Sequence, residues 1–417
     1  MQKGRISTIL LSIFFILISA ISFASCEKAT LLYEKIDGKE EYRVVGLDAD
    51  KKADVVIPST YEGLPVTEIG KNAFKECDEL ASVKIPDSVT TIGSNAFRSC
   101  RRLKSVEIPN SVTDIGSAVF AYSRNLTSVE IGDGVTAISD WMFYECSDLA
   151  SVGVSDNITS IGVYAFRGCR SLKSIEIPDG VVNIGICAFT YCSKLASIEI
   201  PDSVEAIGED AFSYCYRLVE VVNKSPYITV GKGLSSNGNI GKYALDVYNG
   251  DVFTSKLSND NGYIVYTESY QKKVVNYMGE ETELILPSYS TEIYQYAFFQ
   301  SNTLTSVIIP DKVTEVGLFA FYGCTGLASV VIPDKVTKVE DGAFDACYEL
   351  ERVYYKGRAE KWVTINIGSE NSYLTNAMRY YYSETEPTLN SDGTAYDGNY
   401  WYYDENGVPK VWEYNEN

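Results

Sequence analysis

Ile69-Gly70-x-x-Ala73-Phe74-x-x-Cys77-x-x-Leu80-x-x-Val83-x-Ile85-Pro86-x-x-Val89 is followed 23 residues on by Ile92-Gly93-x-x-Ala96-Phe97-x-x-Cys100, and the pattern holds that period without slippage. The Ile/Val anchor stands at 69, 92, 115, 138, 161, 184 and 207, then after an interruption at 293, 316 and 339, which makes ten copies. A fixed period of this length marks a solenoid, in which each unit packs on its neighbours. Within one unit, the alternation in Leu80-Ala81-Ser82-Val83-Lys84-Ile85 predicts a strand that ends at Pro86, since proline donates nothing to a ladder. Val89-Thr90-Thr91-Ile92 predicts a second, shorter extended piece, Gly93 lets the chain bend, and Ala96-Phe97 predicts one helical turn. Each unit turns about seven apolar side chains inward, while ordering its backbone costs roughly 1–2 kcal/mol per residue, so an isolated unit cannot stand. At a strand spacing of about 4.8 Å, ten stacked units predict one continuous curved rod roughly 45 Å long.

The chain has 417 residues, 45% of them hydrophobic, enough for a large core, and its formal net charge of −20 argues against nucleic acid as a partner. It contains no histidine, which removes Ser-His-Asp and Cys-His arrangements and histidine-ligated metals. A carboxylate pair of the glycosidase kind survives that exclusion, but no linear signal marks one. Gly231-Lys232-Gly233 lacks the Gly-Lys-Ser/Thr ending of a phosphate-binding loop. A non-catalytic protein with no cofactor and no metal is therefore expected.

Lys3 and Arg5 precede an apolar run over residues 9–21, the form of an export signal over residues 1–25. Phe23-Ala24-Ser25-Cys26 resembles a bacterial lipobox, which implies a lipid on Cys26 and a membrane anchor, with ordinary cleavage nearby as the alternative.

Eight of the ten cysteines share one repeat position: Cys77, Cys100, Cys146, Cys169, Cys192, Cys215, Cys324 and Cys347, with Ser123 and Ser301 standing in elsewhere. A small donor in a tight buried turn explains both residue types. Zinc would need close pairs that are absent, and parallel Cα–Cβ vectors on stacked units disfavour disulfides. Free thiols on an exported chain suggest an anaerobic habitat.

These residues resemble the BspA-like leucine-rich repeat family of bacterial surfaces, over residues 55 to 355. The resemblance implies a right-handed leucine-rich repeat solenoid with a parallel β-sheet on its concave face and short helical turns. It also implies attachment or recognition rather than chemistry. Departures are local: Val119 and Met142 replace the alanine, Ser139 and Glu340 the glycine, and Gly132 and Ser155 the proline.

The predicted order is a signal peptide (1–25), an N-terminal cap (26–54), a first repeat block (55–222), a β-rich insertion (223–283), a second block (284–355), a C-terminal cap (356–386) and an aromatic hairpin tail (387–417). The insertion either projects as a recognition loop or joins the blocks. Outward strand positions in the first block offer Ser105, Glu107, Ser128, Glu130, Ser174, Glu176, Ser197 and Glu199 to a ligand. In the second block the same column turns apolar at Ile308, Val331 and Tyr354, which contact either a partner or the terminal cap. A column of turn residues that includes Asp87, Asn110 and Asp133 reads as turn chemistry, with calcium as the sharper alternative. Arg101, Arg102, Arg124, Arg170 and Arg217 are placed on a solvated edge, where they offset acids.

The tail carries Trp401, Tyr402 and Tyr403 before an Asn406-Gly407 turn, and Trp412 after it. It resembles a single cell-wall or choline-binding repeat, which implies a glycan site on those four rings; a packed terminal hairpin is the plainer reading. The partners expected are thus a protein or a glycan at the cell surface, together with the membrane through the anchor.

Overall fold

In the computed structural model, which describes residues 30–48, 53–250 and 253–414, each 23-residue unit makes one coil of a β-solenoid with two parallel ladders. In the first ladder Ser105–Ile108, Ser128–Ile131 and Ser151–Gly153 lie parallel, with residues one repeat apart paired. Ala137–Ile138, Ser160–Ile161, Asn183–Ile184 and Ala206–Ile207 belong to the second. Strand alternation buries Val106 and Ile108 and exposes Ser105 and Glu107. Phe74 to Phe212 stack ring on ring at 5.1 to 5.7 Å with planes within 20° of parallel, and Phe298, Phe321 and Phe344 repeat this at 4.9 and 5.0 Å.

The Gly-x-x-Ala-Phe-x-x-Cys segment is not the expected helical turn. Asn95 and Ser99 are left-handed (φ 58° and 59°), and the equivalent residues of nearly every coil repeat this. The alternation aims every second N–H at the next coil: Asn95 donates to Ser117 O at 2.9 Å, Phe97 to Val119 O at 2.8 Å and Ser99 to Ala121 O at 2.8 Å. A helix would satisfy those groups internally, whereas here they tie coil to coil. Nor is the repeat glycine chosen for a bend. A Cβ on Gly185 would lie 2.5 Å from Gly162 C, so glycine is required by the closeness of neighbouring coils.

The cysteine column works as a hydrogen-bond column. Cys100 Sγ donates to Phe74 O at 3.0 Å and Cys146 Sγ to Phe120 O at 3.0 Å, a pattern kept through Cys347 and Phe321 at 3.2 Å. Ser123 Oγ does the same to Phe97 O at 2.8 Å. Cys77, in the first coil, has no preceding phenylalanine carbonyl and is half-buried. The described cysteines are free, and burial pushes the thiols of Cys215 and Cys324 up to about 12.

One continuous rod is not what forms. The apolar interior is divided, one part running from Val44 to Ala244 and another from Tyr263 to Leu374, with a smaller buried cluster of Ala196, Val219, Leu245, Ile264, Tyr266 and Val275 at the junction. The long-strand ladder of the first block ends where Asp246–Asn249 pairs with Glu220–Asn223, and it restarts at Glu283–Ile285. The insertion supplies the change. Its first half adds a coil, with Phe212 N donating to Gly238 O at 2.7 Å. Its second half is an antiparallel meander of Leu257–Asp260, Tyr263–Glu268 and Gln271–Tyr277, whose last strand runs parallel to Glu292–Ile293 and closes the start of the second block.

Arg217 joins the blocks instead of facing solvent. It is 3% exposed, and its Nε and Nη2 donate to Tyr296 O and Phe299 O, both at 3.0 Å. Burial lowers its guanidinium to about 10. Replacing Arg217 with Met is expected to remove roughly 2–4 kcal/mol of coupling and to split the calorimetric unfolding trace, because each block keeps its own core. A trace identical to the parent's contradicts this role.

The ends are closed by distorted coils. Thr30–Lys35 pairs antiparallel with Tyr42–Asp48, which lies beside Leu64–Ile69. At the other end Asn366–Ile367 and Met378–Tyr382 extend the two ladders, and Asn371 Oδ1 accepts from Phe344 N at 3.0 Å in place of a next coil's carbonyl. Tyr400–Tyr403 follows beside Met378–Tyr382, and Pro409–Val411 folds back antiparallel as the edge.

Candidate binding surface

The sheet face of the first block is polar and open. Ser105, Glu107, Glu130, Ser174, Glu176 and Glu199 are exposed, and Ser128 and Ser197 are half-buried. Lys224 pairs with Glu199 at 2.5 Å, and the Glu130 carboxylate lies over Gly153, where a Cβ would meet it at 1.7 Å. Val56, in register with Lys84 at the head of this column, is an exposed apolar side chain on the same face. In the turn column, Asn110 Oδ1 accepts from Asp133 N at 2.9 Å and Asp133 accepts from Ser155 Oγ at 2.9 Å, so these side chains tie the turn of one coil to that of the next.

In the second block the packing favours the terminal cap over a partner as the cover of the apolar column. Val331 and Tyr354 are 2% and 7% exposed, covered by Trp401 with Tyr382, Tyr403 and Val411 packed around it. Ile308 is half-buried in a cleft of about 330 Å³ beneath the hairpin turn at residues 406–409. The physical reason is ladder continuity: the tail adds strands to the same sheet, so its rings fall over the apolar column. In the tail the same packing removes Trp401 from the four rings of the glycan reading and favours the packed terminal hairpin. Trp401 is fully buried, and its indole Nε1 donates to Tyr355 O at 3.0 Å. Tyr402 and Trp412 pack on each other at 4.4 Å, and Trp412 Nε1 donates to Ser383 O at 3.0 Å. Lys356 Nζ lies 5.1 Å from the Tyr403 ring centroid. Cys26 lies outside the described residues.

A surface that sequence reading missed runs along the outer edge of the turns. Trp141 packs at 4.6 Å on Tyr144 and 4.4 Å on Tyr164, and Tyr122 meets Tyr144 at 5.2 Å. The Arg167 guanidinium lies over both Tyr144 and Tyr191, at 5.2 and 5.3 Å, and Nη1 donates to the Tyr144 hydroxyl at 2.7 Å and to Glu145 at 3.1 Å. Tyr191 stacks on Tyr214 at 4.5 Å, and across the block junction Tyr216 stacks on Tyr296 at 4.4 Å. Trp141, Tyr214 and the adjacent Ile186 are 38%, 42% and 47% exposed.

The backbone beneath this ridge is strained. Trp141, Tyr164, Tyr191 and Tyr214 have φ of 61°, 57°, 64° and 60°, a region that costs a residue with a Cβ roughly 1–2 kcal/mol. Asn72 and Asn95 occupy the place of Trp141 and Tyr164 in earlier coils, and Glu76 and Ser99 that of Tyr191 and Tyr214, with the same left-handed angles. Bulky exposed rings at strained positions are a pointer to function rather than to folding. The signal was present in the sequence as columns before the alanine and before the cysteine, where Trp141, Tyr164, Tyr296 and Phe319 align, as do Tyr122, Tyr191 and Tyr214.

A family model described as the BspA type leucine rich repeat region matches residues 67–163, 138–247 and 271–370. Among solved structures, a leucine rich cell surface protein from Faecalibacterium prausnitzii is 21% identical, with 82% of this chain and 97% of that chain covered and a TM-score of 0.34. A leucine-rich repeat protein from Bacteroides ovatus is 23% identical, with 87% and 100% covered and a TM-score of 0.34. No curated protein matches the chain.

Proposed function

Because the chain belongs to the BspA type leucine-rich repeat family, we propose that it is a non-catalytic cell-surface binding protein, recognising another macromolecule, foremost a protein, through its solenoid. Its N-terminal export pattern and Cys26 support display from a lipid anchor. Among the described residues, no helix is long and apolar enough to cross a membrane. The observation that carries the binding reading is the ridge of strained, part-exposed Trp141, Tyr164, Tyr191 and Tyr214 with Arg167 clamped between rings. Trp, Tyr and Arg are the residues that dominate protein interfaces, since they bury much area for few rotatable bonds.

The test is an array of extracellular proteins and glycans probed with the exported chain, its mature N-terminus read by mass spectrometry. A variant carrying Trp141→Asn and Tyr214→Asn is expected to bind the captured partner at least tenfold more weakly. Glu130→Lys with Glu176→Lys, on the sheet face, is expected to change affinity less than about threefold. The opposite ranking transfers the site to the sheet face, and a glycan captured only when residues 387–417 are present returns it to the tail.

A further inference from the structure

We infer that the cleft between the two blocks binds an acidic sugar, whose carboxylate or sulfate is held by Lys194 and Arg170. The cleft, about 390 Å³, opens between the residues that follow the cysteine column in the first block and the first coil of the second. Its size suits one or two sugar rings and excludes a folded partner. Four cations gather there on a chain of net charge −20: Arg170, Lys173, Lys194 and Arg217. Lys194 and Arg217 hold the same repeat position on consecutive coils, so their backbones are about 4.8 Å apart, as adjacent strands are.

Two of the four are occupied. Arg217 donates to Tyr296 O and Phe299 O, and Lys173 Nζ donates to Met278 O at 3.1 Å. Among the described residues, the side chains of Lys194 and Arg170 have no ion pair and no hydrogen-bond acceptor. The acids in the neighbourhood are Asp148, Glu280 and Glu281. Glu281 accepts the Tyr277 hydroxyl, and Asp148 accepts Ser147 Oγ at 3.4 Å. Burial first, then the charges of Arg217 and Lys173, push the Lys194 ammonium below the usual lysine range, against the weaker pull of Asp148 and Glu280. A half-buried cation without a counter-ion is stabilised by an anion from solution. Hydroxyls and amides of Ser193, Gln300 and Asn302, beside the Phe299 ring, line the rest. Polar donors next to an apolar face fit a sugar ring better than the methylene stem of an acidic peptide side chain.

The inference is independent of the ridge, whose asparagine variants are expected to leave it unchanged. It is tested by calorimetric titration of the full chain with glucuronate, glucose, inorganic phosphate and N-acetylglutamate. Glucuronate is expected to bind at least tenfold more tightly than the other three. Lys194→Gln is expected to weaken it at least tenfold, and Lys194→Arg to retain it. Raising the pH from about 8 to about 10 is expected to weaken binding to the parent, as Lys194 loses its proton early, but not to Lys194→Arg. No glucuronate binding, or equal binding by Lys194→Gln, overturns the proposal. Tighter binding of phosphate or N-acetylglutamate makes the cleft a plain oxyanion or acidic-peptide site and overturns the assignment to a sugar.

Discussion

Phe166→Ala is expected to destabilise the first block by roughly 3–5 kcal/mol, read as a lower urea midpoint by circular dichroism. Phe166 is fully buried, with its ring 5.2 Å from Phe143 and 5.1 Å from Phe189. Deleting it removes the burial of one large side chain and two ring contacts, and it leaves a cavity that the coils above and below cannot fill. The backbone of each coil is tied to the next through Phe143 N to Ala165 O at 2.8 Å and Phe166 N to Ala188 O at 2.7 Å, so collapse into the gap would strain those bonds. A solenoid transmits stability from neighbour to neighbour, so a break at mid-stack is felt along the whole block. Phe344→Ala, at the end of the second stack, has only Phe321 beside it at 5.0 Å and is expected to lose less. Equal losses at the two positions, or a loss below about 1 kcal/mol at Phe166, contradict a nearest-neighbour stack.

Trp401→Ala is expected to cost a similar roughly 3–5 kcal/mol in the second block and, in addition, to make the protein self-associate. Its indole fills the space over Val331 and Tyr354, packing 5.5 Å from the Tyr354 ring and 5.1 Å from Tyr382. Without it, the Tyr355 carbonyl loses its indole donor and the apolar column on the sheet face opens to water. Increased fluorescence of a hydrophobic dye and concentration-dependent sedimentation should accompany the loss of stability. A variant that is destabilised yet stays monomeric and dye-silent would show that other residues of the tail cover the column.

The parts of this molecule legible in the sequence are those that recur. The 23-residue period, the Ser-Val-x-Ile strand and the shared role of Cys146 and Ser123 follow from residue type and position, because every coil meets the same neighbours. The Asn406-Gly407 hairpin was equally legible from local turn chemistry, with Gly407 left-handed at φ 75°. What could not be read depends on one coil meeting something other than its own copy. Arg217 looks like any edge arginine until the insertion brings Tyr296 and Phe299 against it. Val331 and Tyr354 look like an exposed apolar row until the tail extends their sheet. The single rod failed for the same reason, since nothing in residues 223–283 declares that the long-strand ladder stops at Asp246–Asn249. The helical turn failed differently: alternating left-handed residues such as Asn95 and Ser99 are favoured only when a next coil is there to accept their N–H groups. The aromatic ridge was present as columns, but its strain is visible only in the backbone angles of Trp141 and Tyr214.

On the proposed function, these ridge side chains are kept for contact with a partner and not for folding. Urea unfolding of the Trp141→Asn, Tyr214→Asn variant tests it without any ligand. Relief of two left-handed positions, roughly 1 kcal/mol each, should offset the lost ring contacts of roughly 0.5–1.5 kcal/mol each, leaving stability within about 1 kcal/mol of the parent or above it. A loss of about 3 kcal/mol or more, on the scale of a core deletion, would make the ridge part of the scaffold and overturn its role in binding.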